Sequence, residues 1–167
     1  PDNPLWHIHG NGQQVPVYRS SINFSMVGNL ISALGKPEPA LVKNFLIRYD
    51  EKSNQYPEVI ESLIEKGLKY YEDQILPGKV YRDPTDVERP LFDELKKRLE
   101  DLAAMEMEEK ELQSLVFDIA RANQVEPKDF FAAIYQVLLG QERGPRFGSF
   151  AKLVGIERLL ALLEERL

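Results

Sequence analysis

Cysteine is absent from the 167 residues, which excludes disulfides and thiolate-held metals. Histidine is nearly absent: His7 and His9 are the two in the chain. Alternate residues on a strand share a face, as two metal ligands would, but no third ligand type lies beside them. Any Ser–His arrangement would have to draw on those first nine residues. Glycine-rich phosphate loops of the P-loop or dinucleotide type are missing too. Neither a catalytic residue nor a metal site is expected here. No apolar run approaches the length of a bilayer span, so no membrane partner is expected. The N-terminus lacks the basic start and apolar stretch of a signal peptide. It reads PDNPLWHIHG, without an initiator methionine, and suggests a cut into a longer chain.

What is present is a helical protein. Hydrophobic residues make up 43% and charged residues 29%, a balance that favours a packed core under a charged helical surface. Apolar residues recur at helical spacing from Ser21 onward. Val27, Leu30, Ile31 and Leu34 form one face, stopped by Gly35. Pro39, Pro57 and Pro127 stand where proline can open a helix. The helix opened by Pro57 is expected to run through Ile75 to a stop at Pro77-Gly78. Thr85 and Glu88 have capping-box spacing ahead of Leu91, Leu95, Leu99 and Leu102, although Pro90 offers a second starting point. Further faces lie at 112–119, 130–138 and 156–167, and Ser149 is placed to cap a short helix that Gly155 breaks. About eight helices result, with no repeat of fixed period. The expected class is all-α, a multi-helix bundle or cage, with a short hairpin read from LWHIH and VPVYR around GNGQQ.

One stretch departs from this regularity: QERGPRFGSFAKLVG, residues 141–155. Gly144, Pro145 and Gly148 impose an irregular path. Arg143, Arg146 and Lys152 can direct cations outward, and Phe147 and Phe150 can offer flat faces. Fixed cations beside aromatic rings can read single-stranded nucleic acid, whereas the plainer reading is a helix–helix connection. The net charge of −6 argues against nucleic acid for the chain as a whole. Its distribution does not. Residues 106–118 carry five acids and one base, whereas residues 141–158 carry four bases (Arg143, Arg146, Lys152, Arg158) and two acids. A helix-turn-helix reading of 112–139 is excluded because its second helix, PKDFFAAIYQVLLG, is too apolar for a DNA groove; no DNA is expected.

Four segments together resemble the C-terminal part of class I lysyl-tRNA synthetases: LWHIH at 5–9, INFSMVGNLISAL at 22–34, the run from Lys69 to Arg82 with Glu88-Arg89 after it, and FFAAIYQVLLGQERGPRFGSF at 130–150. The resemblance covers nearly the whole chain. The last segment is similar also to the corresponding end of glutamyl-tRNA synthetases. The resemblance implies an α-helical cage that receives the anticodon loop of a lysine-accepting tRNA, in a cytoplasmic enzyme that activates lysine with ATP. It also implies that the Rossmann catalytic domain, with its HIGH and KMSKS signatures, is not among these residues; HIHG at 7–10 is not that signature. No cofactor is then expected in this piece. Residues 1–20 would be a linker remnant, 21–82 a connecting helical subdomain, and 83–167 the anticodon-binding cage. Gln141, Arg143, Arg146, Phe147, Ser149, Phe150 and Lys152 become candidates for tRNA contact. Gln141 and Ser149 would read base edges, Arg143, Arg146 and Lys152 would donate to phosphates or base edges, and backbone N–H groups near Ser149 would take a phosphate. Core packing competes with stacking for both phenylalanines. Arg82 and Arg89 are weaker candidates, equally explained by surface ion pairs. A helical protein–protein module without an RNA role stays open beside this reading.

Overall fold

The structure is a computed structural model that describes residues 18–35 and 37–167. The hairpin expected over 5–19 falls almost wholly outside them. Among the described residues there are eight α-helices: α1 (Phe24–Leu34), α2 (Pro39–Tyr49), α3 (Pro57–Tyr70), α4 (Arg89–Leu102), α5 (Glu109–Ala122), α6 (Pro127–Leu138), α7 (Phe147–Val154) and α8 (Ile156–Arg166). No strand occurs among the described residues, and the all-α expectation holds.

The helix ends follow local chemistry. The Asn23 side chain accepts from the Met26 N–H at 2.9 Å and starts α1. Gly35 ends it at φ 70°, a conformation that side chains resist and glycine adopts freely. Pro39, Pro57 and Pro127 each occupy the first residue of a helix, where the missing N–H costs nothing. The capping box forms as its spacing predicts: Thr85 N–H donates to Glu88 at 2.9 Å, and Glu88 N–H donates to the Thr85 hydroxyl at 3.2 Å. It closes a turn just ahead of α4, so Pro90 falls at the second helical residue, where it is still tolerated. The helix expected to run from Pro57 to Ile75 instead leaves α geometry at Tyr71. A π-turn (Tyr71–Ile75) and a 3-10 turn (Leu76–Gly78) follow. That shift keeps Tyr71 buried while Tyr70 stays exposed.

The shortest α-helix is the hub. α7 packs against α5, α1, α2 and α8. Its sequence FGSFAKLV buries Phe147, Gly148, Phe150, Ala151, Leu153 and Val154. Around it, α3 packs on α1 and α2, α4 on α5 and α8, and α6 on α5 and α8. The buried apolar residues form one cluster from Ile22 to Leu163. Three arginines fasten helix ends across this arrangement. Arg158 donates two hydrogen bonds to the Ala33 carbonyl, at 3.1 and 3.0 Å. Arg48 donates to the Val154 carbonyl at 3.2 Å, and Arg166 to the Val137 carbonyl at 3.0 Å. Each meets the free carbonyls and negative dipole end of another helix.

Candidate nucleic-acid interface

The loop from Leu139 to Arg146 leaves α6 and returns as α7, and one side chain shapes much of it. Tyr135 lies buried on α6. Its hydroxyl donates to the Pro145 carbonyl. Its backbone carbonyl accepts from Leu139 N–H at 2.9 Å and Gln141 N–H at 3.2 Å. Gly144 rests on its ring so closely that a Cβ there would come within 2.5 Å of ring carbon. The ring edge meets Phe150 at 5.8 Å between centroids. Burial raises the Tyr135 pKa well above the ordinary phenol value, so the hydroxyl stays a donor. Gly140 turns the chain at φ 67° and lies flat against Tyr81.

The loop is also held from the first half of the chain. Val80 N–H donates to the Gly140 carbonyl at 2.9 Å. The Ser32 hydroxyl donates to Gln141 Oε1 at 2.8 Å. Lys79 donates to the Ser32 carbonyl and to Tyr81, both at 3.2 Å, and its ammonium faces the Tyr71 ring at 5.0 Å. Burial lowers the Lys79 pKa to about 8. Arg166 covers a face of Tyr81, 4.3 Å from the ring centroid.

On this scaffold Arg143 and Arg146 are exposed and Lys152 is half-buried. None of them has a salt-bridge or hydrogen-bond partner among the described residues. Two surface depressions flank the loop. Arg146 and Lys152 share one with Glu108, Glu109 and Lys110. Arg143 borders the other, with Gln74, Gln136, Gln141 and Glu142. In the first, Glu109 is already engaged: it accepts from the Tyr49 hydroxyl at 2.5 Å and from Ser149 at 3.2 Å. Burial, reinforced by that bond to Glu109, raises the Tyr49 pKa to about 12.

Several expectations change. Phe147 is fully buried and Phe150 is 1% exposed, so the stacking role is corrected to core packing for both; the apolar hub requires them. Helix α7 begins at Phe147, two residues before the expected Ser149 cap. Ser149 points to Glu109 and the Gly148 N–H donates to Gln113 Oε1 at 2.8 Å. Side chains of α5 therefore fill the place where a phosphate was expected. Arg82 is spent internally: it donates to both Glu88 oxygens at 2.7 and 3.0 Å and to Gln136 at 2.7 Å. That bond to Arg82 is the main cause that lowers the Glu88 pKa. Arg158 leaves the local basic count because it caps α1 and pairs with Glu165 at 3.7 Å. Arg89 is exposed at the first residue of α4. Sequence reasoning missed Tyr135, Lys79, Lys110 and Gln136. Tyr135 follows Ile134 on the buried face, and the glycine at 144 was its only further signal.

A helical frame that fixes exposed cations on a moulded loop can hold a phosphate chain. Comparison with known proteins fits that architecture: residues 38–167 match the anticodon binding domain family, and the chain belongs to that family. The lysine–tRNA ligase of Roseobacter denitrificans is 33% identical over 168 aligned positions, covering 99% of this chain and 31% of the relative. That of Rickettsia conorii is 32% identical over 169 positions, covering 99% of this chain and 32% of the relative. The chain thus spans about a third of the length of the curated relatives it matches.

Proposed function

We propose that this chain is the anticodon-recognising part of a class I lysyl-tRNA synthetase and binds the anticodon loop of a lysine-accepting tRNA. The observation that carries the reading is the pair Arg143 and Arg146. They are exposed, and they flank the Gly144-Pro145 turn that Tyr135 holds in place. Preorganised cations lose little freedom when they meet phosphates. Lys152 and Lys110 extend the charge along α7 and α5. In the complete protein, ligation of lysine to tRNA with ATP would be carried by residues outside this chain, in the cytoplasm. Residues 83–167 would contact the anticodon loop, and 21–82 would connect that region to the rest and brace it through Ser32, Lys79 and Val80.

The competing protein–protein reading calls for an apolar patch at 141–152. The large apolar side chains there, Phe147 and Phe150, are buried, which favours RNA. The test is direct binding of lysine-accepting tRNA to the 167-residue chain, with a tRNA of unrelated anticodon as comparison. The reading expects preferential binding that weakens steeply with salt. Equal binding of both tRNAs at every salt concentration refutes it.

A further inference from the structure

Five charged side chains line the depression beside α5 and α7, about 560 Å³ in volume: Glu108, Glu109, Lys110, Arg146 and Lys152. Two acids among three bases would ordinarily pair off and cancel much of the local field. Here they do not. Among the described residues no ion pair joins any of the five. The acids are held by other donors instead. Glu108 opens α5 in a capping box with Glu111, whose side chain accepts the Glu108 N–H at 3.2 Å. Glu109 has both carboxylate oxygens occupied by hydroxyls: Oε1 accepts from Tyr49 at 2.5 Å and Oε2 from Ser149 at 3.2 Å. A carboxylate only accepts, so both hydroxyls must donate. The shorter bond comes from the other half of the chain. Tyr49 is the last residue of α2, and the corner that carries it is fixed by Asp50. Asp50 Oδ1 accepts from Lys52 N–H at 3.1 Å, and Oδ2 accepts from the Ser20 hydroxyl at 2.9 Å and Ser21 N–H at 3.0 Å.

The geometry points to Tyr49 as a positioning residue for anion binding in this depression: its hydroxyl holds the Glu109 carboxylate off Lys110, Arg146 and Lys152 and so keeps those cations available to phosphates. That the phosphates belong to RNA rests on the proposed function. Arg146 and Lys152 stand three residues either side of Ser149, the spacing that gathers side chains on one helix face. Ser149 touches Glu109, so a released carboxylate has both cations within reach. Without the Tyr49 hydroxyl, Glu109 keeps only the longer bond from Ser149 and turns its other oxygen to a neighbouring cation. An incoming phosphate must then displace it. Tyr49 itself stays a donor through the neutral range, because burial, reinforced by the bond to Glu109, pushes its pKa up to about 12. It acts through Glu109 and touches no RNA.

The test is a double-mutant cycle of Tyr49→Phe, Glu109→Gln and their combination in the 167-residue chain. Each protein is titrated with lysine-accepting tRNA at several salt concentrations and, separately, with inorganic tripolyphosphate. Tyr49→Phe keeps the ring and removes only the hydroxyl. It should weaken both anions by about fivefold, the upper range for a surface ion pair. The salt slope for tRNA should become shallower by about 0.7–0.9, one phosphate contact fewer. Glu109→Gln should bind at least as tightly as wild type, since the competing charge is gone. In the Glu109→Gln background Tyr49→Phe should change nothing, because no carboxylate is left to release. A merely structural loss at the α2–α5 contact would persist in that background, and such persistence overturns the proposal. So do wild-type affinity and slope in Tyr49→Phe. Where tRNA binds, its cycle decides. If tRNA fails to bind while tripolyphosphate follows the expected cycle, the role of Tyr49 stands and the RNA-binding function falls. If neither anion binds, both fall together.

Discussion

Gly148→Ala tests whether α7 is seated on α5 as described, because its cost can be worked from contacts. A Cβ at this position would lie 2.2 Å from the Glu109 carbonyl oxygen, 3.0 Å from its carbonyl carbon and 3.3 Å from Gln113 Cβ. Ordinary C···O contact is roughly 3.3–3.6 Å, so the helices must part by about 1 Å. The obstruction is backbone and cannot swing aside. Overpacking of this kind costs about 1–3 kcal/mol. Parting the helices also stretches the 2.8 Å bond from Gly148 N–H to Gln113, with a further cost of about 1–3 kcal/mol if the buried donor is left unpaired. Alanine returns about 0.5–1 kcal/mol through helix propensity. The net loss is about 2–4 kcal/mol, or roughly 5–15 °C in Tm for a chain of this size. Thermal unfolding followed by circular dichroism reads it. Gly28→Ala is the matched control: Gly28 is also buried in a helix, but nothing lies within 4 Å of its added Cβ. It should be neutral or slightly stabilising. A Tm for Gly148→Ala within about 2 °C of wild type, the shift expected of about 0.5–1 kcal/mol, would refute the seating of α7.

Tyr135→Phe keeps the ring under Gly144 and deletes only the bond to the Pro145 carbonyl. It should cost about 1 kcal/mol of stability and weaken RNA binding several-fold while the salt slope is unchanged, because no phosphate contact is removed; a titration at several salt concentrations checks both parts. Lys79 predicts an alkaline signature. Its pKa is lowered by burial from 10.5 to about 8, so above pH 8 the native state releases a proton that the unfolded chain retains. Stability contributed at this site therefore rises from pH 8 to about 10 and is smaller below that window. Above pH 10 the raised tyrosines, Tyr49 among them, act in the opposite direction. Chemical denaturation of wild type and Lys79→Met across pH 7–10 should show the gain in wild type alone, and parallel pH profiles would contradict the buried setting of Lys79.

The fold was largely legible because its punctuation is local. Pro39, Pro57 and Pro127 open helices, and Gly35, Gly140 and Gly155 close them at positive φ. The start of α7 was not, since the partners at its N-terminus, Gln113 and Glu109, are donated by α5 rather than by the neighbouring sequence. The burial of Phe147 and Phe150 was readable in part. With Ala151 and Val154 they follow a helical spacing that puts all four on one side, but exposure depends on whether α1, α2 and α5 cover that side. The cations divided on the same principle. Arg143 and Arg146 stay exposed on the loop, whereas Arg82 forms the local ion pair that its weaker candidacy allowed for, with Glu88 six residues on, and Arg158 reaches the Ala33 carbonyl of a helix 125 residues away in sequence. The hydrogen bonds of Gln136 and Gln141 belong wholly to the folded state, because Arg82 and Ser32 lie 54 and 109 residues away.

The central claim is that Arg143 and Arg146 hold RNA phosphates from a rigid loop. Its most direct measurement is the salt dependence of tRNA affinity for wild type and the double variant Arg143→Ala/Arg146→Ala. Removing one phosphate-binding cation should reduce the log–log slope by about 0.7–0.9, so for two the account predicts a slope shallower by about 1.5, together with weaker binding and an unchanged Tm. An unchanged slope in a folded double variant would contradict it.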